Sequence, residues 1–263
     1  MKIRAWALFL LAILFMSSVA FSQGWREDIE KALQKKKSYE FSGIALIDVL
    51  RIISQDAEVN IITDSSAGID PTAKLSYNVK DMALADCLSW TARLMGLEWC
   101  IQDEAVFISK NERLSMAQRR EIEKRNATYR ALAVKTWFPA MQEKLTRKWN
   151  VTFEEKPLAD ARESLKVLMG INFVVSSRVE AKTTVDLNVS NMTGESAISW
   201  VARKAGLDYA ILDEAVYFTT AEDARAIRFA GLDLSSQGRV FEVVSFDFKD
   251  TPFDEAIKTL SEK

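Results

Sequence analysis

Apolar residues recur along this chain in two rhythms. Trp25, Ile29 and Leu33 are spaced by four, one stripe of a short helix. Tyr39 and Phe41 then alternate with polar neighbours, a brief strand. Leu46, Val49, Leu50, Ile53 and Ala57 line one face of an amphipathic helix over residues 44–57. The β-branched run Val59 to Thr63 predicts a strand. Leu75, Tyr77 and Val79 alternate with Ser76 and Asn78, the pattern of a half-buried strand. Leu84, Leu88, Thr91 and Met95 mark the inward side of a second helix over residues 83–95, with Gly96 where the end of a helix favours a left-handed residue. Leu97 to Gln102 and Ala105 to Ser109 flank Asp103-Glu104. Two residues between strands form a hairpin. The order is helix, then strand–helix–strand–strand–helix–strand–strand: an α+β unit in which two helices pack with small mixed sheets.

The same pattern is then written again. Ser89-Trp90-Thr91-Ala92-Arg93 is followed by Leu94-Met95-Gly96-Leu97, and Ser199-Trp200-Val201-Ala202-Arg203 by Lys204-Ala205-Gly206-Leu207. From Leu75/Val185 to Ser109/Thr219 the offset is a constant 110, with 14 of 35 positions identical, enough to mark an internal repeat. Upstream, at an offset of 112, Trp25, Phe41 and Asn60 fall on Trp137, Phe153 and Asn172. The change of offset lies between Asp64 and Leu75, where Ser65-Ser66-Ala67-Gly68 and Asp70-Pro71 supply turn chemistry. Repeat domains therefore span residues 25–109 and 137–219, joined by a charged, weakly periodic helical linker, residues 110–136, expected to be solvated. A second linker covers 220–239. Residues 240–263 open a third copy: Phe248, Pro252 and Ala256 match Phe153, Pro157 and Ala161, and the copy is incomplete at Lys263.

The first residues read as a signal peptide covering residues 1–20. Lys2 and Arg4 precede the apolar run Ala5 to Met16, and Ser18-Val19-Ala20 places small residues for cleavage after Ala20, with a second good cut after Ser22. No cysteine follows the run, which argues against a lipid anchor, and an exported chain meets an oxidising compartment. Net charge is −2, so removal of Lys2 and Arg4 leaves −4. Charges are well mixed and Lys35-Lys36-Lys37 is the sole compact basic cluster, which excludes a nucleic-acid surface.

Three signals together resemble a known family. One is the opening Phe153, Pro157, Leu158, Ala161, seen again as Phe248, Pro252, Phe253, Ala256. Another is an alternating strand that runs into Lys80-Asp81-Met82 or Ser190-Asn191-Met192. The last is Gly96-Leu97 with Trp99 and Ile101, or Gly206-Leu207 with Tyr209 and Ile211, entering a Val106-Phe107 or Val216-Tyr217 hairpin. The combination is similar to the short N-terminal domain shared by secretins and TonB-dependent transducers, in tandem copies. The resemblance implies periplasmic domains that work by protein–protein contact, in secretion systems or in signalling to a regulator, without catalytic residues. No membrane β-barrel pattern of alternating ten-residue segments accompanies them.

The candidate chemistry is sparse. The chain has no histidine, which removes the commonest general base and metal ligand and every Ser-His-Asp arrangement. No catalytic, metal or cofactor site is expected, and no cofactor. Asp103-Glu104 and Asp213-Glu214 read as hairpin tips whose side chains lie in solvent. Trp90, Arg93 and Gly96, with Trp200, Arg203 and Gly206, form the repeated structural signature, read as packing, with a repeated contact surface as the alternative. Cys87 and Cys100, opposite Ala197 and Ala210, are the candidates for a disulfide; two buried thiols packing as small hydrophobes are the alternative. The expected function is a non-enzymatic periplasmic assembly module of secretin-type domains, part of a larger secretion-related envelope protein. Its partners are other envelope proteins or further copies of itself, with outer-membrane association through a part beyond Lys263. The alternatives are a signalling segment of a transducer-like protein and a cell-wall or carbohydrate-binding module. Intact-mass analysis of the protein from the envelope fraction should show a chain that starts at Phe21 or Gln23. Recovery of the uncleaved Met1 form from that fraction would overturn the export reading.

Overall fold

The computed structural model describes residues 24–179 and 183–235. The signal-peptide reading and the third copy lie outside the described residues. The first unit begins with a helix α1 (residues 24–33) and continues β1 (Lys36–Ala45), α2 (Leu46–Ala57), β2 (Asn60–Thr63), β3 (Lys74–Ala83), α3 (Leu84–Leu94), β4 (Glu98–Gln102) and β5 (Ala105–Ser109). A helix α4 (Met116–Ala133) leads to the second unit: α5 (Trp137–Thr146), β6 (Lys148–Pro157), α6 (Leu158–Met169), β7 (Asn172–Val175), β8 (Thr184–Thr193), α7 (Gly194–Lys204), β9 (Asp208–Leu212) and β10 (Ala215–Thr219). Helix α8 (Ala221–Phe229) follows. The fold is mixed α+β, as the pattern predicts.

In each unit two long strands make an antiparallel ladder, β1 with β3 and β6 with β8. The other three make a mixed sheet: β2 runs parallel to β5 and β4 antiparallel to it, and β7, β10 and β9 repeat the arrangement. The buried face of α2 is Leu46, Val49, Leu50, Ile53 and Ala57, the stripe read from the sequence. The strand predicted around Tyr39 and Phe41 is much longer than two alternating residues imply. Its polar start at Lys36-Lys37-Ser38 and its half-buried end at Ile44-Ala45 are held by ladder pairing with β3, so the alternating pattern marks only its middle.

The duplication reaches the backbone. Both ladders carry two register shifts, at equivalent places. Asp81 and Asn191 adopt positive φ of 50° and 55° at one of them. There the Ser38 hydroxyl accepts from the Asp81 amide, and the Asn150 side chain from the Asn191 amide. At the other, Gly43 (φ 62°) is matched by Glu155 (φ 42°), and a side chain on the facing strand, Ser76 or Asp186, accepts the amide hydrogen bond. Gly96 and Gly206 take φ 66° and 70° after α3 and α7, as expected.

The two units are not separate beads. Asn78 of β3 pairs with Phe173 of β7, which joins the first ladder to the second unit's mixed sheet in one five-stranded sheet, order β1-β3-β7-β10-β9. The outer face of that mixed sheet supplies Val174, Ala210, Leu212, Ala215 and Tyr217 to the core of the first unit. Its inner face supplies Phe173, Tyr209, Ile211, Val216 and Phe218 to the core of the second. Strands β9 and β10 are consequently buried on both sides, which is why Ala215 to Phe218 is an unbroken apolar run.

The connector helix departs from expectation. Residues 110–136 hold the expected helix, most of it exposed, but one side of it is not solvated: α4 lies on β4, where Ile122 and Leu114 cover Cys100. Arg125 donates to the Trp99 carbonyl, with Glu98 as its ionic neighbour. Helix α8 repeats the device, since Arg228 donates to the Tyr209 carbonyl at 2.8 Å and pairs with Asp208. Trp99 and Tyr209, like Glu98 and Asp208, occupy matching repeat positions. A charged helix thus packs through one arginine whose long stem and planar head suit a carbonyl and a carboxylate together.

Glu155 holds a left-handed conformation that its repeat counterpart gives to glycine. Glu155→Gly should therefore stabilise the protein by about 0.5–1 kcal/mol, read from urea unfolding, because the Cβ penalty at positive φ is removed. A loss of stability would show that the Glu155 side chain contributes more than its backbone costs.

Candidate functional site

The junction between the units is where the chain's polar and aromatic residues converge. Trp90 sits on α3, one step round from the inward Leu88 and Thr91. It is fully buried, although the first unit alone does not enclose it. The β9–β10 hairpin tip of the second unit caps it. The indole Nε1 donates to the Asp213 carbonyl at 2.8 Å, and the ring lies against Tyr217 with centroids 5.0 Å apart. Arg93, a turn further along α3, places its guanidinium 5.7 Å from the Trp90 ring centre and donates to the Asp213 carboxylate at 3.0 Å. Lys36 at the start of β1 reaches Glu214 at 3.4 Å. Nearby, the Asn172 side-chain amide accepts from the Lys80 amide at 2.8 Å and donates to the Lys80 carbonyl at 3.1 Å, a side-chain substitute for one rung of the ladder. Ser177 donates to the Leu94 carbonyl, and Lys166 to the Asn78 side chain.

Both tips have the same backbone, with positive φ at both turn residues: 47° and 61° at Asp103-Glu104, 48° and 54° at Asp213-Glu214. Their surroundings differ. Asp103 and Glu104 are exposed, as expected. Asp213-Glu214 corrects the expectation of a solvated tip: Asp213 is buried and Glu214 half-buried, because this turn is the plug of the junction. Leu212 where the first unit has Gln102 was the readable signal, an apolar residue next to a turn that should face water. Glu214 is pushed up by loss of solvent, and Lys36 offsets part of that shift.

Beside the junction, α1, α3, α4 and the segment after α8 border a groove of about 790 Å³. Asp86, on the first turn of α3, is buried there. Its carboxyl is raised well above the usual range, first by desolvation and then by repulsion from Asp213. The Tyr129 hydroxyl from α4 is close enough to influence it, but forms no well-shaped hydrogen bond. On the groove's other wall Arg26 pairs with Glu121 at 2.7 Å and donates to the Ile101 carbonyl. These groups are spent on structure, and among the described residues no cluster of acidic or cysteine side chains could hold a metal ion. The groove residues Asp86, Tyr129 and Arg125 were not foreseen, because their encounter depends on where α4 lies.

The proposed signature divides. Trp90 and Arg93 are in the junction, while Gly96 and Gly206 are helix caps. Trp200 and Arg203 stack on each other in the same way, with the guanidinium 5.5 Å from the ring centre, yet nothing among the described residues covers them. Trp200 is 42% exposed where Trp90 is 0%. The cysteines are not joined. Cys87 and Cys100 are both free and buried, Cys87 in the main core of the first unit and Cys100 in the small cluster beneath α4. The pleat of β4 explains this: Trp99 and Ile101 face α3, so Cys100 between them faces away. Burial raises both thiols, Cys100 to about 11.

No protein-family model and no curated protein matches this chain.

Two measurements test this geometry. Trp90→Ala should cost about 3–5 kcal/mol, the range for emptying a buried tryptophan site, while Trp200→Ala should cost under about 1 kcal/mol. Equal costs would mean that the two positions are equivalent after all. For Asp86, a folded-state pKa above the unfolded value means that the folded protein holds the extra proton. Its stability contribution is then present at acid pH and is lost as pH rises from about 4 towards the raised folded value. Urea unfolding across that window should show Asp86→Asn gaining stability relative to wild type as pH rises, and a parallel pair of curves would refute it.

Proposed function

We propose that this protein is a non-enzymatic assembly module of the cell envelope, built from tandem secretin-type N-terminal domains, acting in the periplasm by protein–protein contact. The observation that carries the reading is the junction. One unit engages the next through a hairpin tip, a strand edge and a repeated tryptophan, and among the described residues the same tryptophan surface recurs uncovered on the second unit. The unit architecture is in keeping with it: the resemblance implies two helices packed against small mixed sheets, and each unit packs α2 and α3, or α6 and α7, with a two-stranded ladder and a mixed three-stranded sheet. The absence of histidine from the sequence and the structural pairing of the groove charges weigh against a hydrolytic reading. A carbohydrate-binding reading draws on exposed aromatics at equivalent places in both units, and Trp90 is fully buried.

The test is in situ. A photoreactive amino acid at position 200, in cells of the native host, should give a cross-linked adduct in the envelope fraction. The same probe at exposed Glu123 on α4 should give none. Recovery of the protein in the cytoplasm, or no adduct from position 200, would overturn the proposal.

A further inference from the structure

We infer that the Trp200 surface binds the first unit of a second copy of this chain, so that copies associate head to tail. The inference rests on the assembly reading above and names its partner. Both halves of the internal junction exist a second time, and among the described residues neither meets a partner unit, although α4 already covers Cys100, the counterpart of Ala210, and packs near Phe107, that of Tyr217. On the socket side, Trp90, Arg93 and Lys36 of the first unit correspond to Trp200, Arg203 and Lys148 of the second. Val79 and Met82, fully buried at the internal junction, correspond to Val189 and Met192, which are only half-buried. Strand β3 has neighbours on both sides, while among the described residues β8 has only β6. On the plug side, Asp213-Glu214-Ala215 corresponds to Asp103-Glu104-Ala105, with the same residues and the same turn. Asn172, which completes the rung against Lys80, corresponds to exposed Asn60. Val174, 0% exposed in the junction, corresponds to Ile62, 53% exposed on β2, an edge strand.

Trp90, Asp213 and Val174, buried in the junction, thus correspond to exposed Trp200, Asp103 and Ile62, on both sides of the contact. Among the described residues the free plug is on the first unit and the free socket on the second, so these two units cannot satisfy each other with the pairing they already use. A second chain satisfies both with known chemistry. Trp200 Nε1 donates to the Asp103 carbonyl of the second copy, Arg203 pairs with that Asp103 and Lys148 with that Glu104. Ile62 packs against β8 and α7. Helix α4 covers the outer side of β4 much as α8 covers β9, through Arg125 and Arg228, so it occupies the place the internal junction already tolerates. Because plug and socket are different surfaces, the contact is heterologous and propagates, or closes only as a ring. Gln102 in place of Leu212 makes it a more polar, weaker copy of the internal junction, while Phe107 in place of Tyr217 keeps an aromatic ring there.

The test is sedimentation velocity of the mature full chain over a concentration series. Wild type should grow through successive oligomers. Ile62→Asp and Trp200→Ala, both at exposed positions, should each keep wild-type circular dichroism and melting, and each alone should associate at least about tenfold more weakly. Mixed together, the two variants should form a one-to-one heterodimer and stop there, since each keeps one intact half. Wild type that stays monomeric, variants that grow like wild type, or a mixture that stays monomeric would each overturn the inference. A position-200 adduct with a different envelope protein, alongside monomeric wild type, would sink this inference and leave the assembly reading standing.

Discussion

The three-stranded sheet of the second unit is apolar on both faces, and one unit can cover only one of them. Phe173, Ile211 and Phe218 face their own helices. Val174, Ala210, Ala215 and Tyr217 face outward and would meet water if the units were independent. Docking that face against α3 and β3 removes both exposures together, and it encloses Trp90, which the first unit leaves open. The contact of Trp90 with the Asp213 carbonyl follows from the requirement that every buried donor and acceptor find a partner, and half-buried Asn172, bonded to exposed Lys80, completes the edge. The rigid relation between the units therefore comes from apolar burial, and the hydrogen bonds select its register.

The duplication has been kept in backbone conformation more strictly than in side chains. Matching bulges, matching left-handed residues and matching arginine-to-carbonyl contacts persist where the residue types have changed from Gly43 to Glu155, or from Ser76 to Asp186. A positive φ carried by glutamate is tolerated because the ladder on either side holds it. The same backbone consequently presents two different surfaces, one occupied and one free. That asymmetry gives the molecule its polarity.

The groove beside the junction shows what such packing costs. Asp86 stands where the second unit has Ser196, and α4 closes over it, so a carboxyl is held in a desolvated place next to Asp213. Its position on the first turn of α3 gives it the favourable end of the helix dipole, which offsets part of the loss. Arg125, on the inner side of α4, is affected by burial in the opposite sense: loss of solvent lowers it, as it raises Asp86. Charged residues that look solvated in a linear reading become structural once a helix lies across them.

The amphipathic stripe of α2, the hairpins, the glycine caps and the two-fold repetition were legible in the chain because each depends on residues within a few positions of one another. Periodicity of 3.6 or 2 is a local property, and so is turn chemistry. Which tip is buried and which tryptophan is covered depended on the approach of segments more than 80 residues apart, as in the contact of Trp90 with Asp213, while the separation of Cys87 from Cys100 came from the pleat of β4 and the helix α4 laid over it. Two copies with nearly the same local sequence have nearly the same local structure. Only the tertiary arrangement, by spending one plug on one socket, made Trp90 a core residue and left Trp200 at the surface.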